Sequence, residues 1–382
     1  MKRIFILFII LVLVGTAAWY LFGTALTNNA GSSATSTDQQ QDANGDSVQR
    51  EAMQVIATDL AVPWDIAFLP GERMLVTERG GRLVEMDLDG EDQAHISVDG
   101  VVQSGEGGLL GIVLHPEFEQ NQQIYLYMAQ DTDRGVFENK VVRYRYNSGE
   151  LSEEEVVIEG IEGAQYHDGG RMEFGPDGLL YVTTGDAGLR DPAQDINSLS
   201  GKTLRVHPDG SIPSNNPFEN EVYSYGHRNS QGLAWDESGR LWSTEHGRSG
   251  VQSGMDEINL IESGSNYGWP EIEGDETAEG MIAPAEHSGP DITWAPASAT
   301  YWDGSIFFGG LRGAAVYEAV LDGEEVTEIR QHFFEEFGRI RTTRLGPDGY
   351  FYFTTSNRDG RGESSTDDDR IIRVDPEQVF RN

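Results

Sequence analysis

No cysteine occurs anywhere in the 382 residues. That absence excludes disulfides, thiolate metal sites, cysteine nucleophiles and a lipid-modified cysteine. It does not exclude export, because a β-domain of this size buries enough core to need no covalent staples. Positive charge is almost as scarce: 27 Lys and Arg stand against 64 Asp and Glu, a net charge of -37. Nucleic acid is therefore excluded as a partner, since phosphate binding needs a basic field. So large a charge also repels itself in the compact state unless concentrated salt screens it, which points to a halophilic, saline setting. The plainer alternative is an acidic secreted protein. Lysine is confined to Lys2, Lys140 and Lys202, so arginine carries nearly all the positive charge.

Long apolar runs are lacking too, with one exception at the N-terminus. Lys2 and Arg3 precede an uncharged stretch over 4–22, which is long enough to cross a bilayer as a helix. The expectation is a membrane anchor or signal over 1–26, with the remainder extracytoplasmic. Gly15, Ala17 and Ala18 leave cleavage open. Residues 27–50 are Ser, Thr, Asn, Gln, Asp and Gly for the most part, a polar flexible linker with nothing to bury.

Helical periodicity is missing from the rest of the chain. Short β-branched and aromatic runs alternate with Gly, Pro and Asp, as in a fold of many short strands. One pattern recurs, a tight polar turn followed by an alternating apolar strand. It reads LPGERMLVTERGGRL at 69–83, HPEFEQNQQIYLYMA at 115–129, GPDGLLYVTTGD at 175–186, DESGRLWSTEHG at 236–247, WDGSIFFGGLRG at 302–313 and GPDGYFYFTTSN at 346–357. Measured at Gly71, His115, Pro176, Asp236, Trp302 and Pro347, the steps are 44, 61, 60, 66 and 45 residues. Each step is about the length of a four-stranded sheet. The expectation is an all-β, six-bladed β-propeller over 51–382, with a β-sandwich or hairpin barrel as the alternative. Propellers gather ligands over the central channel, so residues from several repeats should converge there.

Four Gly-rich polar segments adjoin apolar strands: SGEGGLLGIVLHP at 104–116, YHDGGRMEFGPDG at 166–178, YGHRNSQGLAW at 225–235 and EHGRSGVQSGMDEINLIESGSNYGWP at 245–270. On composition alone these are loops where backbone approaches something closely. No general enzymatic motif is among them. In order, however, GEGGLLG, HDGGR, GPDG…GD, SGKTLRVHPDGSIPSNNPF, YGHRNSQG, EHG, DEINLI and NYGWP resemble the soluble glucose and aldose sugar dehydrogenases that depend on pyrroloquinoline quinone (PQQ). The likeness covers nearly all of 55–375.

The resemblance implies a set of roles. His167 would be the general base for the anomeric hydroxyl, and Asp186 the carboxylate that orients it. Arg228 would bond the quinone oxygen that becomes negative during reduction, with Asn229 as a further polar contact. Arg312, Arg339 and Arg341 would hold the three carboxylates of PQQ, for which planar, permanent cations are suited. Glu106 and His246 would adjoin the cofactor, and Trp294 would either stack on it or lie in the core or an interface. One calcium ion would sit on the carbonyls of Gly247 and Arg248, and a second on Glu257 and the carbonyl of Tyr267.

Two features depart from the family pattern. Glu106 stands where a Gln is common, and a carboxylate beside an anionic quinone is unfavourable unless it is protonated or paired with an arginine. The segment GRSGVQSGM between EHG and DEIN is also longer than expected. The implied activity is oxidation of an aldose to its lactone, with electrons passed to an unidentified external acceptor. A non-catalytic ligand-binding propeller is the alternative, for which Glu106 is the main support. A calcium-dependent lactonase on a different propeller is a third class, whose motifs these segments do not resemble.

Overall fold

The computed structural model describes residues 51–132, 137–250 and 253–381. The expected anchor over 1–26 and linker over 27–50 lie outside the described residues. Among the described residues, no helix is long and apolar enough to cross a membrane.

Among the described residues, twenty-four strands form six antiparallel four-stranded sheets. The first strands of the sheets are β2 (Pro63–Leu69), β6 (Leu109–Leu114), β10 (Met172–Phe174), β14 (Ser230–Trp235), β18 (Thr300–Trp302) and β22 (Ile340–Leu345). They neighbour one another in that cyclic order, and β22 returns to β2. The fold is therefore a closed six-bladed propeller, as the repeat spacing predicts. The six repeat marks all fall at the turn joining a blade's first strand to its second. The turns are held locally: the Gly178 N–H donates to the Gly175 carbonyl at 2.9 Å, and Gly349 repeats this to Gly346 at 3.0 Å. The sixth blade is completed from the other end of the chain. Its strands β22, β23 (Phe351–Thr355) and β24 (Ile371–Val374) are joined by β1 (Met53–Ala57), with Met53 opposite Val374. Ring closure thus rests on a sheet shared by the first and last described strands, which leaves no open edge between blades six and one.

The core is divided the same way. Six apolar clusters occur, one at each junction between neighbouring blades. Leu109, Ile124 and Leu75 join blades one and two, for example, and Phe307, Ile340 and Phe353 join blades five and six. Strand residues facing both neighbours are apolar, so each sheet is covered on two faces and its strands read as near-continuous hydrophobic runs. Burying each such side chain contributes about 1.5–3 kcal/mol.

At the axis the core turns polar. Arg171, 1% exposed, enters the channel just before β10. Its Nε donates to the Gln231 carbonyl at 2.9 Å, and its Nη2 to the Ala297 carbonyl at 2.8 Å and to Thr342 Oγ1 at 3.2 Å. Its Nη1 lies 2.5 Å from Asp65 Oδ1. One guanidinium on blade three therefore reaches blades four, five, six and one. Asp65 also accepts the Ile112 N–H of blade two at 3.3 Å and pairs with Arg344 at 3.1 Å. Removing one partner from such a buried network leaves charge and carbonyls without compensation. Arg171→Met is expected to lower the unfolding free energy by about 3–5 kcal/mol, read from urea denaturation. An unchanged midpoint would mean that the axis is not needed for blade assembly.

Candidate active site

Above this axis the channel widens into a cavity of about 530 Å³ lined by loops from several blades. His167 lies at its wall, on the connection from β9 (Glu150–Glu162) to β10. Its backbone is left-handed, with φ 65°, an uncommon state for a residue with a Cβ. Three bonds hold it there. The His167 N–H donates to Glu106 Oε2 at 3.0 Å, its carbonyl accepts from the Ala187 N–H at 3.2 Å, and its Nδ1 lies 2.7 Å from Asp186 Oδ1. Asp186 follows β11 (Leu180–Thr183) and is fully buried. The preceding Gly185 is needed for this approach, because a Cβ there would meet the His167 carbonyl oxygen at 1.8 Å.

Asp186 Oδ1 also accepts from the Gly188 N–H at 2.7 Å, and Oδ2 from Trp269 Nε1 at 2.9 Å. Burial pushes this carboxyl up, but the bonds from His167, Gly188 and Trp269 outweigh it and hold the group below the usual range. An ionised Asp186 can only accept, so the proton rests on His167 Nδ1 and Nε2 keeps its lone pair. The arrangement fixes the ring through Nδ1 and leaves Nε2 as its acceptor.

Arginine dominates the rest of the wall. Arg228, Arg248, Arg312, Arg339, Arg341 and Arg361 all line the cavity, in a chain with a net charge of -37. Arg339 and Arg341 share Asp359, at 2.7 and 3.8 Å, Arg361 pairs with Glu106, and Arg248 pairs with Glu273 at 3.2 Å. Arg228 and Arg312 make no ion pair among the described residues. Arg228 donates to the His246 carbonyl at 3.2 Å and Ser249 Oγ at 3.0 Å, while its buried Nε has no partner. Arg312 donates to Ser253 Oγ at 2.8 Å. Three carboxylates thus engage four of the six guanidinium groups, and Asp256 on the same wall is held by the backbone N–H groups of Gly247, Trp294 and Ala295, so positive charge remains in excess. Burial pushes Arg341 down to about 9, the cost of crowding cations in a dry pocket. Burial likewise lowers His246 to about 3, so its imidazole is neutral, and its Nε2 is buried without a partner. Such orphaned groups mark a wall shaped to meet something else.

Most of the residues expected from the sequence converge here: Glu106, His167, Arg228, Asn229, His246, Gly247, Arg248, Arg312, Arg339 and Arg341 all border the one cavity. Asn229 is partly committed, since its Oδ1 accepts the Gly169 N–H at 3.0 Å and so ties the His167 loop to β14. Glu106 has the arginine partner that its position required. Trp294 departs from expectation. Its ring is buried in the cluster between blades four and five, 5.5 Å from Phe308 and 5.8 Å from Tyr317, and is not on the cavity. An apolar ring gains more from that packing than from a polar wall. Trp269 and Tyr166 border His167 instead, in an adjoining pocket of about 290 Å³.

The calcium positions separate into two places. Gly247 and Arg248 are on the cavity wall, where the Gly247 N–H donates to Asp256 at 2.8 Å and the long loop folds back through the Gly254 N–H to the Arg248 carbonyl at 3.3 Å. Glu257 lies elsewhere, on β16 (Glu257–Ile261), in the same sheet as Glu245 and Asn259. Burial and the Glu245 charge push Glu257 up to about 8, and the buried Asn259 Oδ1 has no partner. Two carboxyl groups and an orphaned amide oxygen form a hard-oxygen environment, of which Glu245 is already bonded to His227 Nδ1 at 2.9 Å, and such oxygens suit a cation such as calcium. Tyr267 is buried nearby in sequence, its ring stacked on His227 at 4.7 Å. Among the described residues no three His, Cys, Asp or Glu converge on a point that could hold a metal, so backbone carbonyls would have to complete either site.

Fold and site together define a propeller enzyme built around a polyanionic ligand. The chain belongs to the glucose/sorbosone dehydrogenase family, whose model matches residues 60–366, and it is an oxidoreductase. It is 33% identical over 341 residues to the aldose sugar dehydrogenase YliI of Escherichia coli, covering 81% of this chain and 91% of that one. The quinoprotein glucose dehydrogenase B of Acinetobacter calcoaceticus is 33% identical over 255 residues, 58% of this chain and 52% of the relative. The solved structure of PQQ-bound aldose sugar dehydrogenase from Streptomyces coelicolor superposes with a TM-score of 0.78 at 39% identity, covering 84% of this chain and 97% of that one.

Glu106 provides an acid-range test of this geometry. Burial alone would raise it, but Arg361 and the His167 N–H bring it from 4.5 to about 2. A depressed carboxyl contributes stability that is present above the unfolded value and lost as pH falls through the folded one. The stability of the native chain relative to Glu106→Gln should therefore decline between pH 4.5 and about 2, as seen in urea midpoints. A constant difference across that range would contradict the ion pair.

Proposed function

We propose that the protein oxidises C1 of an aldose to the lactone, using PQQ and calcium in the central cavity and passing electrons to an external acceptor. The observation that carries this reading is the cluster of six arginines, in excess of the carboxylates around them, beside a His–Asp pair, since PQQ bears three carboxylates. Arg312, Arg339 and Arg341 would hold those carboxylates, and Arg228 and Asn229 would contact the ring oxygens. Bound there, PQQ would supply the two-electron acceptor for hydride from the sugar, and calcium on the Gly247 and Arg248 carbonyls would polarise it as a Lewis acid.

The chain's own residues do the remaining work. His167 Nε2 takes the proton of the anomeric hydroxyl as C1 loses hydride. Asp186, fixed on Nδ1, stabilises the imidazolium that results. Arg228, held by the His246 carbonyl and Ser249, presents a permanent charge to the oxygen on which negative charge grows. Trp269 secures Asp186 and forms a wall of the adjoining pocket, a place for the apolar face of a sugar ring. The pairing of Glu106 with Arg361 removes the main support for a non-catalytic propeller. The apolar stretch over 4–22, flanked by Lys2 and Arg3, supports an extracytoplasmic location with the N-terminus in the membrane.

The test uses the full chain in detergent and calcium, reconstituted with PQQ and offered a panel of aldoses with an artificial dye as acceptor. Dye reduction that needs both PQQ and sugar is expected, and His167→Ala should lower kcat by about 10²–10⁴. No PQQ binding would overturn the reading. For the second ion, calcium should raise the thermal midpoint of the cofactor-free protein, and Glu257→Gln should largely remove that increment. An equal calcium response in both proteins would place the ion elsewhere.

A further inference from the structure

We infer that Arg361 and Glu106 together position the catalytic base: Arg361 holds the Glu106 carboxylate in the orientation in which it also receives the His167 backbone N–H. The inference rests on the role of His167 proposed above. Three loop segments meet at Glu106. Glu106 sits in a tight turn between blades one and two, where Ser104 and Gly107 exchange backbone hydrogen bonds at 3.2 and 2.9 Å. That turn is strapped to the His167 loop twice, by the Glu106 N–H to the Gln165 carbonyl at 2.9 Å and by Glu106 Oε2 to the His167 N–H at 3.0 Å. Gly105, with φ 60°, allows the contact, because a Cβ there would lie 2.0 Å from the Gln165 oxygen.

The other oxygen, Oε1, is taken by Arg361 from the β23–β24 connection of blade six. That connection is itself anchored. The Arg361 N–H donates to Asp359 Oδ1 at 2.9 Å, and Asp359 Oδ2 holds Arg339. A chain of contacts therefore runs from the arginine pair through Asp359, Arg361 and Glu106 to the main chain of the base.

Chemistry explains why a carboxylate stands at 106. A glutamine in the same orientation would turn its NH2, a donor, towards either the guanidinium or the His167 N–H. A carboxylate has two oxygens and serves both. The Glu106 side chain is 19% exposed and that of Arg361 58%. Arg361 is thus the accessible member, replaceable without opening the core. Its effect on the base is indirect. His167 is in a left-handed conformation that costs energy unless its neighbours determine it. With Glu106 free to turn away, the N–H loses its acceptor and the imidazole samples more positions relative to the sugar hydroxyl. Misplacement of that kind is read in turnover and not in binding.

The experiment compares Arg361→Gln, Glu106→Ala and the double variant in the calcium-loaded holoenzyme. At saturating PQQ, Arg361→Gln should lower kcat about tenfold while KM for the sugar stays within about twofold. The double variant should be no slower than Glu106→Ala, because the two residues act through one contact. In the cofactor-free protein, the nitrogen-15 signals of the His167 ring, assigned with His167→Ala, should broaden or split in Arg361→Gln. Multiplying losses in the double variant, a loss confined to KM or PQQ affinity, or unchanged His167 signals would each overturn the inference. A native enzyme that oxidises no sugar would instead defeat the proposed function, and the ring signals would still decide whether the pair positions His167.

Discussion

A single buried guanidinium organises the centre of this protein. Arg171 leaves blade three and is bonded by groups from blades four, five, six and one, while Asp65 extends the network to blade two. Apolar packing between blades holds neighbours together pairwise, and the sheet that β1 shares with blade six closes the ring. The axis adds a constraint on all the blades at once, since one planar group meets acceptors on separate blades at fixed angles. It also connects to the wall of the site. Arg171 lies 4.4 Å and Arg341 5.7 Å from the ring centre of Trp64. Gln231 gives its carbonyl to Arg171 and its side-chain oxygen to Arg341 at 3.4 Å. The arrangement of the blades at the axis and the lining of the cavity are therefore linked.

The same molecule that carries a net charge of -37 concentrates arginines around its one functional cavity. Guanidinium suits that task because it stays charged when desolvated and meets carboxylates with a planar fork. Ammonium is used where three acceptors surround a point. The buried Lys202 donates to the carbonyls of Pro192, Ala193 and Ser200, at 2.8, 3.0 and 2.5 Å. Those bonds brace the loop behind Asp186. The wall and its supports thus divide the two cations by the geometry of their donors.

Much of the architecture was legible in one dimension. The turn–strand repeat is local, because GPDG-type turns and alternating apolar residues encode themselves within a dozen positions, so six turns at blade-length spacing reported six blades. The family motifs likewise brought His167, Asp186, Arg228 and the arginine pair to attention. Other features were silent for a definite reason. Arg361 reaches Glu106 across 255 residues, and nothing in RDGRGE marks which of several charged residues turns inward. Trp269 stood within a noticed motif, but its bond to Asp186 spans 83 residues and depends on a long loop crossing from blade four. Trp294 was misplaced because a tryptophan beside Thr and Ala reads the same whether it faces a cavity or a core.

By itself, then, the sequence determined the class of fold, the acidic composition and the pairing of His167 with Asp186 as a candidate, all of which rest on short-range pattern or on recognisable local motifs. Tertiary structure alone decided which carboxylates compensate which arginines, which aromatic rings border His167 and how its main chain is held. Those choices depend on residues from different blades meeting at one axis, where burial removes water as an alternative partner and makes each charge answer to its nearest neighbour.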